Sequence, residues 1–261
     1  MPICTIDGVE LYYEAGPPGK PALLLLNGLT MTTAAWGLQT PVFSEHFRTL
    51  CMDFRGQGKS ARPEASQYAL SRQADDCAGL LDALQIESAD VIGLSYGGMV
   101  AQHLAVRHPA RVRRLVLADT LAWSDSVNRQ IADSWQLAIE AGGRRLQFEL
   151  SLPLVFGHRY LAANPAVIQL LREQAAMADW EPVRRLTLGV LDHDLRQQLA
   201  SLACPTLIAV GAEDRFTPYH HAQLLSSLIP GARLEVIPDC GHASPLENPK
   251  AFNQIVLTFL R

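Results

Sequence analysis

The chain has 261 residues, 48% of them hydrophobic, with 22 Lys and Arg against 26 Asp and Glu and a formal net charge of −4. That length and apolar content suit one large α/β domain, or a domain with an insert, and exclude a disordered chain. The slight acidity and the lack of any dense Lys/Arg run argue against nucleic-acid and acidic-membrane binding, so a small-molecule partner is expected.

The N-terminal stretch Met1-Pro2-Ile3-Cys4-Thr5-Ile6-Asp7 has neither the basic start nor the apolar block of a secretory signal, and no apolar run reaches membrane-spanning length. A cytoplasmic protein is expected. Five cysteines (Cys4, Cys51, Cys77, Cys204, Cys240) are scattered without a C-x-x-C pair, which predicts buried thiols and no disulfide frame or zinc site.

Residues Ile3 to Glu14 read as two strands around Asp7-Gly8, a hairpin signal, followed by the turn-rich Gly16-Pro17-Pro18-Gly19. Ala22 to Leu26 is a continuous apolar run between Pro21 and Asn27-Gly28, as expected of a strand covered on both faces of a parallel sheet. Thr49 to Asp53 reads as the next strand. In the loop after it, Gly58-Lys59-Ser60 mimics the end of a phosphate loop, but Asp53 stands where that motif requires glycine. Gly56-x-Gly58-x-x-Ala61 mimics a dinucleotide fingerprint, yet Pro63 falls where its helix should run. Both are rejected and no cofactor is expected.

Apolar positions from Leu70 to Leu84 recur at helical spacing. A β-branched strand then leads through Gly93-Leu94-Ser95-Tyr96-Gly97-Gly98 into a helix that Pro109 stops, and Val112 to Ala118 is another buried strand. Between Thr120 and Leu202 only helical segments are predicted: Val127 to Ala141, Arg144 to Leu150, Ala166 to Met177, and Val183 to Leu199 with an interruption near Gly189. Its aromatics suit an apolar roof, with Trp123 and Trp135 as pocket candidates. Arg144-Arg145 and Arg184-Arg185 read as solvated helix faces. The alternation then resumes with a strand Thr206 to Val210, a helix Pro218 to Leu228, a strand Arg233 to Ile237 and a helix Pro249 to Leu260. Residues 1–119 and 203–261 are therefore expected to form the core, with 120–202 a helical cap inserted in it.

By chance alone Gly-x-Ser-x-Gly arises in about one chain in ten of this length, so its strand-turn-helix setting carries the argument for Ser95 as a nucleophile. A serine alcohol is weak at neutral pH and needs a base, and the base needs a third group to hold its tautomer. Asp214 follows the strand ending at Val210, and His242 follows the strand ending at Ile237. Both fall, with Ser95, at the carboxyl edge of the sheet, where ligands bind in open α/β folds. Glu213 is the nearest rival acid. The oxyanion needs backbone N–H groups, for which Tyr96 and, after Leu26, Leu29 are the candidates; Asn27 and Gly28 are counted with the pocket. The remaining histidines form no metal-ligand pattern, so no metal is expected.

Leu25-Leu26-Asn27-Gly28, Asp53 to Ser60, Gly93 to Gly98, Gly211 to Asp214 and Gly241-His242 together resemble the α/β-hydrolase superfamily over nearly the whole chain. The resemblance implies a mostly parallel twisted sheet with helices on both faces, Ser95 as nucleophile, Asp214 as acid and His242 as base. Gly93 to Thr120 is similar to the small esterase and 3-oxoadipate enol-lactonase branch. Most relatives have His-Gly where this chain has Asn27-Gly28, and Asn-Gly before Thr32-Thr33-Ala34-Ala35-Trp36 is similar to 3-hydroxyacyl transacylases, whose elbow usually lacks a glycine at the position of Gly93. The expectation is a serine hydrolase of a small or medium carboxylic ester, lactone or thioester, working through an acyl-enzyme. An acyltransferase on the same three residues and a non-catalytic ligand-binding receptor are the alternatives.

Overall fold

In a computed structural model describing residues 2–261, Asp7 and Gly8 adopt φ of 45° and 77° and turn β1 (Ile3–Ile6) back into β2 (Val9–Ala15). Positive φ at both turn positions matches the right-handed twist of the flanking strands. The chain continues through β3 (Ala22–Leu26), a short α1 (Thr40–Phe43), β4 (Arg48–Met52), α2 (Leu70–Ala83), β5 (Ala89–Leu94), α3 (Tyr96–Arg107) and β6 (Val112–Ala118). Beyond the helical segment that follows come β7 (Thr206–Gly211), α8 (Tyr219–Leu228), β8 (Arg233–Ile237), α9 (Ser244–Glu247) and α10 (Pro249–Leu260).

The eight strands form one sheet in the order β1-β2-β4-β3-β5-β6-β7-β8, antiparallel at β1/β2 and β2/β4 and parallel elsewhere. Every residue of β3, β5 and β7 is buried, which is why these runs read as continuously apolar. Alternate residues feed two cores. Leu24, Leu26, Val91 and Leu115 face Leu80, Leu104 and Leu225 of the helices on one side, while Leu23, Leu25, Ile92 and Val116 join Phe43, Phe252 and Val256 on the other. Each such leucine stabilises the fold by about 1.5–3 kcal/mol relative to exposure. The carboxyl ends of β5, β7 and β8 consequently emerge on one edge.

Between β6 and β7 lie α4 (Ser126–Val155), α5 (His158–Ala163), α6 (Pro165–Met177) and α7 (Trp180–Leu191). The two helices predicted around Gly142-Gly143 are one stretch kinked there, with Gly143 at φ 69°. The sequence reading of Gly189 as an interruption is corrected: α7 runs through it and stops at Leu191. A Cβ at Gly189 would sit 2.1 Å from the Tyr68 carbonyl oxygen, so the glycine serves a close helix-to-loop approach. After α7 the chain forms an isolated bridge between Trp123 and Asp194 and a 3-10 turn at Leu199–Ser201. Arg144 also departs from expectation. It is 9% exposed and lies over the Trp180 ring, 5.1 Å from the centroid, because the kink re-aims the turn that follows it. Arg184 and Arg185 do lie on a solvated face, paired with Glu181 at 2.8 and 3.0 Å.

All five cysteines are free thiols, and among the described residues no helix is long and apolar enough to cross a membrane.

Candidate active site

Only Ser95 separates β5 from α3, at φ 54° and ψ −114°, a region that a non-glycine residue enters only under constraint. The constraint is a set of bonds. The Ser95 N–H donates to the Ala118 carbonyl at 2.8 Å, and the Ser95 carbonyl accepts from the Thr120 hydroxyl at 2.8 Å and the Gly98 N–H at 2.9 Å. Side chains are sterically barred on either side. A Cβ at Gly93 would lie 2.3 Å from the Gly97 oxygen, and one at Gly97 would lie 2.2 Å from the Leu26 oxygen.

The loop after β7 carries Asp214 and the loop after β8 carries His242, and the sheet edge brings both to Ser95. His242 Nε2 lies 2.7 Å from Ser95 Oγ, and His242 Nδ1 lies 2.9 Å from Asp214 Oδ2. Asp214 is held in turn by the N–H groups of Phe216 (2.9 Å) and Thr217 (2.8 Å) on Oδ1 and by the Thr217 hydroxyl (2.8 Å) on Oδ2. Glu213, the rival acid, instead accepts the His158 N–H at 2.7 Å. An alcohol, an imidazole and a carboxylate in this row can pass a proton from oxygen to nitrogen while the carboxylate stabilises the imidazolium formed.

Burial alone would depress the His242 pKa. The charge and hydrogen bond of Asp214, with Asp119 and Glu247 behind, outweigh it and hold the imidazole above its ordinary value. Asp119, fully buried at the end of β6, accepts the Gly211 N–H at 2.9 Å and the Ser244 hydroxyl at 2.6 Å, so it ties the acid loop to the base loop. Burial first, and the Asp214 charge second, push its pKa up to about 8. Glu247 secures the base loop by accepting the N–H groups of Gly241 (3.0 Å) and Ala243 (3.1 Å).

The Ser95 hydroxyl opens on a cleft walled by Leu29, Met99, Leu121, Ile131, Trp135 and Val190. Trp135 stacks on Phe216 at 5.1 Å, and the Phe216 and His242 rings meet edge to face at 4.8 Å, so an aromatic chain joins α4 to His242. Leu29 and Tyr96 both border this cleft, and neither N–H is bonded among the described residues. Tyr96 is the first residue of α3, where the helix dipole also favours negative charge.

Three pocket candidates lie elsewhere. Asn27 is wholly buried, donating to the Met52 carbonyl at 2.9 Å and accepting from Trp36 Nε1 at 2.9 Å, so its side chain serves the core. The Gly28 N–H is taken by Met31 Sδ at 3.3 Å. Trp123 carries Arg196 over its ring at 4.0 Å, outside the cleft. The rejected phosphate loop folds around a carboxylate of its own, since Lys59 N–H donates to Asp53 Oδ2 at 2.9 Å.

Sequence reasoning missed Gln57. Its Nε2 donates to the carbonyls of Gly28 and Leu29, at 2.9 Å each, and so fixes the peptides that aim the Leu29 N–H. Thr217, Asp119 and Glu247 were missed as well; Asp119 directly follows β6, but no local feature of the sequence marks Thr217 or Glu247. The fold also gathers Asp125, His220 and His221, a potential metal-ligand group that no sequence spacing announced.

Residues 21–249 match the family described as the alpha/beta hydrolase fold. The chain is 28% identical to a putative carbamate hydrolase RutD from Caulobacter sp. (strain K31), over 98% of this chain and 97% of that protein. It is 29% identical to 3-oxoadipate enol-lactonase 2 from Acinetobacter baylyi, over 97% and 93%. A solved hydrolase from Pseudomonas aeruginosa PA01 superposes with a TM-score of 0.91 at 36% identity, covering 99% of this chain and 97% of that one. The parallel sheet, the serine at the strand-to-helix turn and these matches agree, and the chain belongs to the alpha/beta hydrolase family of enzymes.

Proposed function

We propose that the protein is a serine hydrolase of small or medium uncharged carboxylic esters, lactones or thioesters. The observation that carries this reading is the unbroken row Ser95 Oγ, His242 Nε2, His242 Nδ1 and Asp214 Oδ2, with contacts of 2.7 and 2.9 Å, opening on an apolar cleft. Ser95 attacks the carbonyl carbon as His242 takes its proton, and the N–H groups of Leu29 and Tyr96 receive the oxyanion. His242 then returns the proton to the departing alcohol or thiol, leaving an acyl-serine. Water repeats the cycle and releases the acid. Asp214 keeps the imidazole in the tautomer whose Nε2 is free to accept.

The relatives named as a carbamate hydrolase and an enol-lactonase support acyl chemistry of this kind. Among the described residues no Lys or Arg borders the cleft, which favours an uncharged acyl part. Free space beside Ser95 is about 40 Å³. Ligand pockets commonly hold about 300–1,000 Å³. Substrate entry therefore requires α4 and α7, whose residues wall the cleft, to swing outward, and residues 120–202 act as a cap. The similarity of Asn27-Gly28 to transacylases argues little for acyl transfer here, because the Asn27 side chain is spent on Met52 and Trp36.

Ser95→Ala tests the reading on a panel of esters, lactones and thioesters. The variant should keep its thermal midpoint and lose kcat by roughly 10⁴-fold or more. The wild type should label with a fluorophosphonate and the variant should not. Retained turnover in Ser95→Ala overturns the mechanism, an unlabelled wild type revives the receptor alternative, and mainly transferred product in the presence of added alcohol or thiol points to the acyltransferase.

A further inference from the structure

Beyond the triad, three metal-ligating side chains from two elements converge where the cap meets the core. Asp125 is the N-cap of α4, while His220 and His221 lie in the first turn of α8, and one ligand atom from each lies within 4.8 Å of the others. The carboxylate is already oriented. Its Oδ1 accepts the N–H groups of Val127 (2.8 Å) and Asn128 (2.9 Å), while Oδ2 faces His221 Nε2 at 3.5 Å. That gap is too long for a hydrogen bond. It is close to the spacing of about 3.3 Å between two ligands on a tetrahedral ion with bonds of about 2.0 Å.

His221 supplies the independent sign that a group belongs here. The residue is 2% exposed, and its Nε2, the ring nitrogen that faces the site, has no hydrogen bond among the described residues and meets only the distant Asp125 oxygen. Buried polar atoms are rarely left so, and each such case calls for an explanation. His220 is exposed, so its ring is free to rotate and close the third corner. Two imidazoles and one carboxylate select a transition ion over the oxygen-seeking Mg²⁺ and Ca²⁺, and they leave a fourth position for water.

We propose that Asp125, His220 and His221 form a binding site for a divalent transition-metal ion of the zinc class, which latches the start of α4 onto the core. The next turns of α4 carry Asn128, Ile131 and Trp135 of the cleft wall, so an ion at Asp125 holds that wall in its closed position. The ion plays no part in the proton relay and lies outside it. Its effect is on the opening of the cap.

Zn²⁺ titrated into the purified full chain provides the test, read by calorimetric stoichiometry and by the thermal midpoint, with Mg²⁺ as the control ion. The variants are His220→Ala, which changes an exposed side chain, and Asp125→Asn. Asparagine caps a helix as well as aspartate does, yet it presents an amide nitrogen where the free ligand oxygen stood. Wild type should bind one more equivalent of Zn²⁺ than either variant and gain several degrees of thermal midpoint that neither variant gains. Equal stoichiometry and equal shifts in all three proteins overturn the proposal, and so does an equal shift with Mg²⁺.

Discussion

His242 controls turnover under the proposed mechanism, because only the neutral imidazole can accept the Ser95 proton. Its pKa is raised, with the Asp214 charge and hydrogen bond overcoming burial, so protonation should begin to switch the enzyme off sooner as pH falls. A pH–rate profile should therefore place the acid limb of kcat/KM above 6.5, the ordinary histidine value. Gln57 acts at one remove, through the carbonyls of Gly28 and Leu29. Gln57→Leu should let the Leu29 N–H drift and reduce kcat by about 10- to 100-fold, less than the loss of an oxyanion donor outright. Steady-state kinetics on a small ester should show KM nearly unchanged, because the ground-state substrate does not depend on that donor. Ser95, Asp214 and His242 were singled out in the sequence because Ser95 sits in Gly-x-Ser-x-Gly between a strand and a helix, and an acid and then a histidine follow it on later loops at the carboxyl edge of the sheet. Gln57 and Asp119 were not, because a polar loop residue carries no mark of the loop it will meet.

Among the elements, the turn joining β5 to α3 is the least tolerant of change. Gly97 packs its α-carbon against the end of β3, and a methyl group there would overlap the Leu26 backbone at 2.2 Å. Neither partner is the flexible end of a side chain, so relief requires moving a central strand. Gly97→Ala should cost about 3 kcal/mol or more of stability, read by urea denaturation. The same reasoning explains where periodicity misled. Gly189 looked like a helix breaker, yet its missing side chain lets α7 press on the Tyr68 backbone. Strands and long helices were legible from apolar spacing; α1, α5 and α9 are too short to show a period.

Across the whole molecule, the helix that follows Ser95 also meets the helical segment between β6 and β7 through a histidine pair. His103 of α3 and His193, in the turn after α7, bring Nε2 and Nδ1 to 3.4 Å, and His193 Nε2 lies 3.1 Å from the Leu121 carbonyl. Burial first, and then the nearby Arg107 and His103 charges respectively, lower the two pKa values to about 4 and about 3. Both groups then bind protons more readily in the unfolded chain, so they lend stability above pH 6.5 that is lost as pH falls toward those values. Asp119, held up near 8, works with the opposite sign over this range and offsets part of the loss, whereas the gain from the raised pKa of His242 is already complete by pH 6.5. The thermal midpoint should decline as pH falls from 6.5 toward 4, and His103→Leu should flatten that decline. By itself, the sequence determined the succession of strands and helices and the three loops that bear Ser95, Asp214 and His242, since apolar runs and turn residues are local properties. Only the tertiary structure decided that Asn27 and Trp123 turn away from the cleft, that Arg144 is buried on Trp180, and that Asp125 comes to face His221. Those outcomes depend on which distant segments share a surface, and no local pattern encodes such a contact.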